Sequence, residues 1–128
     1  MNQQLNDNNI NKSKIHEFMN KAIQDIAGSS TAMLVILGER LGLYKAMAEE
    51  NKYITFQQLA NKTGTNERLV KEWLANQVSA GYIEYDPSTE KYFLSPEHAL
   101  ALSDYNSPIY IQGAFKAINL TLKTKKNL

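Results

Sequence analysis

The stretch that decides the fold is Thr55–His98, TFQQLANKTGTNERLVKEWLANQVSAGYIEYDPSTEKYFLSPEH. Thr55 stands where a hydroxyl caps a helix; Phe56, Leu59 and Ala60 then share one side, and Gly64 supplies the stop. Thr65 is placed to cap a second, longer helix in which Leu69, Val70, Trp73, Leu74 and Val78 recur at helical spacing before Gly81. Two short helices about a glycine corner predict a helix-turn-helix. Two β-rich runs follow, Tyr82–Tyr85 and Lys91–Leu94, around Asp86-Pro87-Ser88-Thr89. Proline after Asp is favourable turn chemistry, so these runs predict a hairpin. Ser95, Pro96 and Glu97 give the next helix a cap, a first-position proline and an N-terminal carboxylate. A helix-turn-helix followed by a hairpin is a winged helix, mainly α in class.

Upstream, Ile15, Phe18, Met19, Ala22, Ile23 and Ile26 form one apolar stripe, predicting a helix from Lys14 that ends at Gly28. Ser29, Ser30 or Thr31 would cap a second helix running through Met33–Leu37 toward Arg40. It is apolar nearly all round and must be covered on every side. Gly42 is its expected stop, and Leu43–Ala48 form another short helix. Downstream, Ile111, Phe115, Ile118 and Leu122 suggest a helix over Ile109–Leu122, and Lys116, Lys123, Lys125 and Lys126 read as a solvated basic tail. The expected organisation is an Asn/Gln-rich disordered tail over 1–13, a winged-helix dimerisation domain over 14–103 and a helical linker over 104–128.

Composition narrows the function. A chain of 128 residues with 43% apolar and 21% charged side chains has the length and balance of one globular domain. Its net charge of +1 gives no whole-chain field for nucleic acid. With no cysteine there is no disulfide framework, thiolate metal site or thiol nucleophile, which suits a cytoplasmic setting. The two histidines, His16 and His98, are far apart and lack a third ligand, so no metal site is expected. The most apolar run, Ala32–Gly38, is far shorter than the ~20 residues of a membrane span.

Two surfaces compete for a role. The recognition-helix position offers Arg68, Lys71 and Asn76 as candidate DNA contacts. Between Thr55 and Ser103, however, four basic side chains (Lys62, Arg68, Lys71, Lys91) stand against six acidic ones (Glu67, Glu72, Glu84, Asp86, Glu90, Glu97), a balance of −2. Such a face repels the phosphates that supply most non-specific affinity. The apolar helices exceed what a small winged helix can cover, and a two-fold dimer would cover the surplus. The expected interface is Ile15, Phe18, Met19, Ile23, Ile26, Met33, Ile36 and Leu37. Trp73, Tyr82, Tyr85, Tyr92 and Phe93 read as core and wing packing rather than a base-stacking platform. The adjacent carboxylates Glu49 and Glu50 read as solvated.

The blocks Gly38-Glu-Arg-Leu-Gly-Leu-Tyr44, Lys71-Glu-Trp-Leu74 and Pro96-Glu-His-Ala-Leu-Ala-Leu102, in that order, are similar to the N-terminal winged-helix domain of bacterial S-adenosylmethionine-dependent methyltransferases, a family that includes transcriptional regulators. The likeness covers about Lys14–Phe115. It implies a homodimer, a methyltransferase domain elsewhere that binds S-adenosylmethionine, and N-terminal helices that help to roof a pocket for a small or lipid-like acceptor. Such a domain holds its cofactor on a tight Gly-x-Gly-x-Gly loop. The glycines here, at 28, 38, 42, 64, 81 and 113, stand at least four residues apart. No cofactor is therefore expected to bind this chain itself. The alternative expectation is a stand-alone DNA-binding winged-helix regulator.

Overall fold

The capping chemistry of the helix-turn-helix sets the element boundaries. In the computed structural model, which describes residues 9–118, α1 spans Lys12–Arg40, α2 Leu43–Glu50, α3 Phe56–Thr63, α4 Glu67–Ser79, β1 Glu84–Asp86, β2 Lys91–Phe93 and α5 Pro96–Leu102. Residues 112–118 are helical again. Thr55 Oγ1 accepts the Gln58 amide at 3.1 Å, and Gln58 Oε1 accepts the Thr55 amide at 2.9 Å, a reciprocal capping box. Gly64 closes α3 with φ 66°. The cap of α4 is Asn66 rather than the expected Thr65: Asn66 Oδ1 takes the Leu69 amide at 3.1 Å, while the Thr65 hydroxyl lies 2.7 Å from that of Thr63. Asn caps at least as well as Thr, and its neighbour's hydroxyl is already engaged.

The hairpin forms as the turn chemistry requires. Glu84 pairs with Phe93, Tyr85 with Tyr92 and Asp86 with Lys91. The Asp86 carboxylate accepts the Ser88 amide and the Ser88 and Thr89 hydroxyls at 2.7–3.0 Å, bonds that hold its carboxyl below the usual range. Ile54 and Tyr92 exchange backbone hydrogen bonds at 2.7 and 2.9 Å, tying the wing to the residue just before the Thr55 cap. Helices α3 and α4 pack together, and α2 lies against α3 and α5. The fold is a winged helix.

Its core centres on Trp73. The indole Nε1 donates to the Leu34 carbonyl at 2.8 Å, and Tyr44 meets the ring edge-on with centroids 5.0 Å apart. One turn beyond Leu34 lies Gly38. A Cβ there would stand 2.9 Å from both Trp73 Cε2 and Tyr44 Cε2, so only glycine leaves room for the two rings. Leu43, Leu59, Val70, Leu74 and Leu94 complete the dry interior. Gln77 is wholly buried among them. Its Oε1 accepts the Tyr44 hydroxyl, and its Nε2 donates to Asn76 Oδ1 at 3.1 Å, so its burial is compensated.

Several expectations change. The predicted helices before and after Gly28 are one continuous α1. Gly28 is not among the residues of positive φ, and the Ser29 hydroxyl donates to the Asp25 carbonyl inside the helix instead of capping a new one. An interior glycine costs a helix ~1 kcal/mol, which weakens it without ending it. Leu69, placed on the inward stripe, is 39% exposed; the buried face of α4 is instead Val70, Trp73, Leu74 and Gln77. The last helix begins at residue 112 rather than Ile109, with Phe115 against the core and Ile111 and Ile118 exposed. The expected disordered tail over 1–13 is shorter than that, since α1 already begins at Lys12; residues 1–8, Leu122 and the lysines at 123, 125 and 126 lie outside the described residues. By packing, the chain forms two units, Met1–Ser30 and Thr31–Leu128, and the winged helix belongs to the second.

The two helical glycines of α1 should respond oppositely to the same substitution. Nothing lies within 4 Å of a Cβ at Gly28, so Gly28→Ala should stabilise by up to ~1 kcal/mol. Gly38→Ala should destabilise despite the same gain in propensity, and Trp73→Ala should cost ~3–5 kcal/mol. Thermal melts check all three. A Gly38→Ala melt at or above wild type would mean that the ring does not sit against the backbone.

Candidate functional site

The basic side chains of the expected DNA face stand beside acidic or aromatic neighbours, with Arg68 and Lys71 exposed. Arg68 Nε sits 3.6 Å from Glu72 Oε1, one turn along α4. Lys71 Nζ lies 5.2 Å from the centre of the Phe56 ring, where the cation meets the electron-rich face. Asn76, taken as outward-facing, turns into the domain: its Nδ2 donates to Thr31 Oγ1 at 3.2 Å and its Oδ1 accepts from Gln77. It is not available to read a base edge. Lys62 is bound between Glu50 and Glu49 at 3.2 and 3.4 Å, and these carboxylates raise its pKa. Acidic Glu67 and Glu72 remain exposed on α4 beside Arg68 and Lys71.

The expected interface residues fall into two environments. In the first unit, Phe18 is 66% exposed, Met19 50%, Ile23 58% and Ile26 66%, with Ile15 partly covered. In the second unit, Met33 is 52% exposed and Leu37 partly buried, whereas Ile36 is buried within the domain itself. Ile36 therefore presents no surface to a partner in this conformation. Soluble monomers rarely leave so dense a run of large apolar side chains in water.

Two further polar features stand apart from these surfaces. The Glu39 carboxylate receives the Tyr110 hydroxyl at 3.0 Å and the Lys116 ammonium at 2.6 Å. Burial, with the Glu39 charge beside it, pushes the Tyr110 hydroxyl up to about 12. Lys116, expected in a solvated tail, instead holds residues 112–118 to the end of α1. Gln112 reinforces this, fully buried and donating to the Leu102 carbonyl at 3.1 Å. Partners 71 and 77 residues apart carry no local signature. The second feature is His98, whose ring Nδ1 lies 2.8 Å from the Tyr82 carbonyl and so donates to it, joining α5 to the residue after Gly81. His98 thereby edges an apolar groove of about 260 Å³ that also includes Tyr82, Ala101, Ile111 and Phe115.

Little chemistry is assembled. Among the described residues no three His, Cys, Asp or Glu side chains are grouped to hold a metal. The positive-φ glycines, 42, 64 and 81, each stand at a helix end, separated by whole helices or turns. They do not form the clustered backbone cradle a dinucleotide-like cofactor needs. No single helix among the described residues is long and apolar enough to cross a membrane. The bent pair α1 and α2 passes that test only together, and α2 contributes the buried Leu43, Tyr44 and Met47 of the domain core.

Solved structures share this architecture. That titled "PigF with SAH" superposes with a TM-score of 0.64 at 18% identity, over 78% of this chain and 28% of its own. The mitomycin 7-O-methyltransferase MmcR matches with a TM-score of 0.59 at 20% identity, over 77% of this chain and 27% of its own. The S-adenosylmethionine-dependent methyltransferase SibL in its apo form matches at 0.51 and 12% identity, over 79% and 32%. The chain thus spans less than a third of each of these proteins. No curated protein matches the sequence. Residues 29–104 match the family model described as the Rv2258c-like winged HTH domain, which takes in the Gly38–Trp73 contact, both helices of the helix-turn-helix and the hairpin. With more than half of its length so matched, the chain belongs to the Rv2258c-like winged helix-turn-helix family.

Proposed function

We propose that this chain is a dimerisation module, the winged-helix part of an S-adenosylmethionine-dependent methyltransferase whose cofactor is held by a separate methyltransferase domain. The carrying observation is the exposed apolar run Phe18, Met19, Ile23 and Ile26 on α1. Covering what is still exposed of each such side chain is worth roughly 1–2 kcal/mol, and a second copy supplies the same surface in return. Likeness in fold to methyltransferases supports the wider assignment. The boundaries that go with it are a domain over 14–103 followed by a connecting segment over 104–128, which the Glu39–Lys116 bridge would hold at a fixed exit from the domain. The cysteine-free composition suits a cytoplasmic setting.

The alternative, a stand-alone DNA-binding regulator, has the helix-turn-helix in its favour. The charge around it argues against that: Arg68 and Lys62 are paired with carboxylates and Asn76 faces inward.

Two measurements check these readings. Wild type at tens of micromolar should scatter light at twice the chain mass. Phe18→Asp should lie at or near monomer mass with its helical circular dichroism kept, because an unpaired carboxylate is costly to desolvate. A monomeric wild type, or a variant that loses its helices together with its partner, would overturn the module. In gel shifts with mixed genomic fragments at physiological salt, we expect no retained complex at nanomolar protein. A band abolished by Arg68→Ala would favour the regulator.

A further inference from the structure

A hollow of about 220 Å³ lies between the start of α3, α4 and the wing, and it shares no lining residue with the groove at His98. Three rings line it: Phe56 from α3, and Tyr85 and Tyr92 from the two strands. Those tyrosines are directly opposite each other across the hairpin, so they emerge on one face of it, with ring centroids 4.9 Å apart. Two opposite charges line the same hollow, Lys71 from α4 and Glu90 from the hairpin turn. Glu90 lies two residues before Tyr92, and its charge reaches that side chain. Burial first, then Tyr85 and Glu90, raise the Tyr92 hydroxyl above its ordinary range.

Lys21, Lys62 and Lys116 each reach a carboxylate at 2.6–3.2 Å. Lys71 does not. Its ammonium stands 5.2 Å from the centre of the Phe56 ring, and Glu90, on the same hollow, is in no ion pair among the described residues. An ammonium and a carboxylate thus border one small space without neutralising each other. A cation entering alone would meet the like charge of Lys71, and an anion alone that of Glu90. A molecule carrying both signs satisfies both. We propose that this hollow binds a small zwitterion, its carboxylate on Lys71 and its ammonium against Glu90 and the rings of Tyr85 and Tyr92. The long Lys71 stem lets the ammonium leave the Phe56 ring for the ligand, exchanging a weak exposed contact for a charge-assisted hydrogen bond. The volume lies below the ~300 Å³ at which sites for drug-sized ligands begin. The occupant is therefore of the size of a free amino acid or a betaine, not a peptide. All of these residues belong to the winged helix, so the site does not depend on the dimer.

Amide NMR shifts of the full chain, titrated with four probes, test the site. Glycine betaine and L-alanine carry both charges, choline only the positive one and propionate only the negative one. At least one of the two zwitterions should give saturable shifts at Lys71, Tyr85, Glu90 and Tyr92 at millimolar concentration, with choline and propionate weaker by about tenfold or more. Lys71→Met and Glu90→Gln, both at exposed positions, should each weaken the zwitterion by about tenfold and leave the melting temperature unchanged. Choline bound as tightly as the zwitterion would make the hollow a cation cage, and propionate bound as tightly would make it an anion site. Either result overturns the proposal on the wild-type chain alone, whatever the variants do. No saturable shift from either zwitterion below about 10 mM overturns it as well. So does Lys71→Met binding the zwitterion more tightly than wild type, because Lys71 would then be the plug of the hollow and not a ligand group.

Discussion

The indole of Trp73 lies against the bare backbone of α1 at Gly38, and the rest of the domain is arranged around that contact. Because Gly38 has no side chain, the ring comes close enough for its Nε1 to bond the Leu34 carbonyl one turn back. Tyr44 then closes on the ring edge, and its hydroxyl reaches Gln77 on the same helix as Trp73. The chain of hydrogen bonds continues through Asn76 to Thr31, returning to α1. Three helices are thus locked by one aromatic pair and one buried polar relay. Burial of Tyr44 holds its hydroxyl protonated well above the ordinary range, so the relay stays neutral. A partly satisfied network in that position would be costly, which makes the four side chains act as a unit.

The same contact explains why the fold was readable and parts of the surface were not. Capping residues, αL glycines and the Asp-Pro turn act within a few residues of themselves, so Thr55, Gly64, Gly81 and Ser95 marked their elements correctly from spacing alone. Gly28 misled because a glycine inside a helix and one ending it look alike in sequence; only its φ tells them apart. Leu69 and Asn76 misled for another reason. Each lies at the margin of the buried sector of α4, where a neighbouring helix decides which side chain turns in. That neighbour brings Thr31 to Asn76, and the polar residue went inward while the leucine stayed out. Lys116 carries no sign of burial in the sequence because its partner, Glu39, is 77 residues away.

Function divides along the same line. The helix-turn-helix face, which the fold invites one to read as a DNA reader, sets its basic groups beside neighbours that offset them: Arg68 and Glu72 in an exposed pair, Lys62 between Glu49 and Glu50, Lys71 over Phe56. What it offers to a polyanion is mixed in sign. The N-terminal part of α1 is the reverse, with large apolar side chains in water and few polar commitments. A helix of that length and composition gains little stability from its own hydrogen bonds, and its apolar face is where further stabilisation is to be had. Family and fold place the chain among winged helices, but the surface that distinguishes it lies largely outside the matched residues 29–104.

The account rests on α1 being completed by a second copy while the winged helix stands by itself, and amide hydrogen exchange followed by mass spectrometry across a dilution series separates these directly. Protection of peptides covering residues 15–26 should rise with protein concentration, and protection of the Trp73 helix and of α2 should not depend on it. Exchange over 15–26 that is the same at every concentration, or a concentration dependence confined to α4, would contradict it.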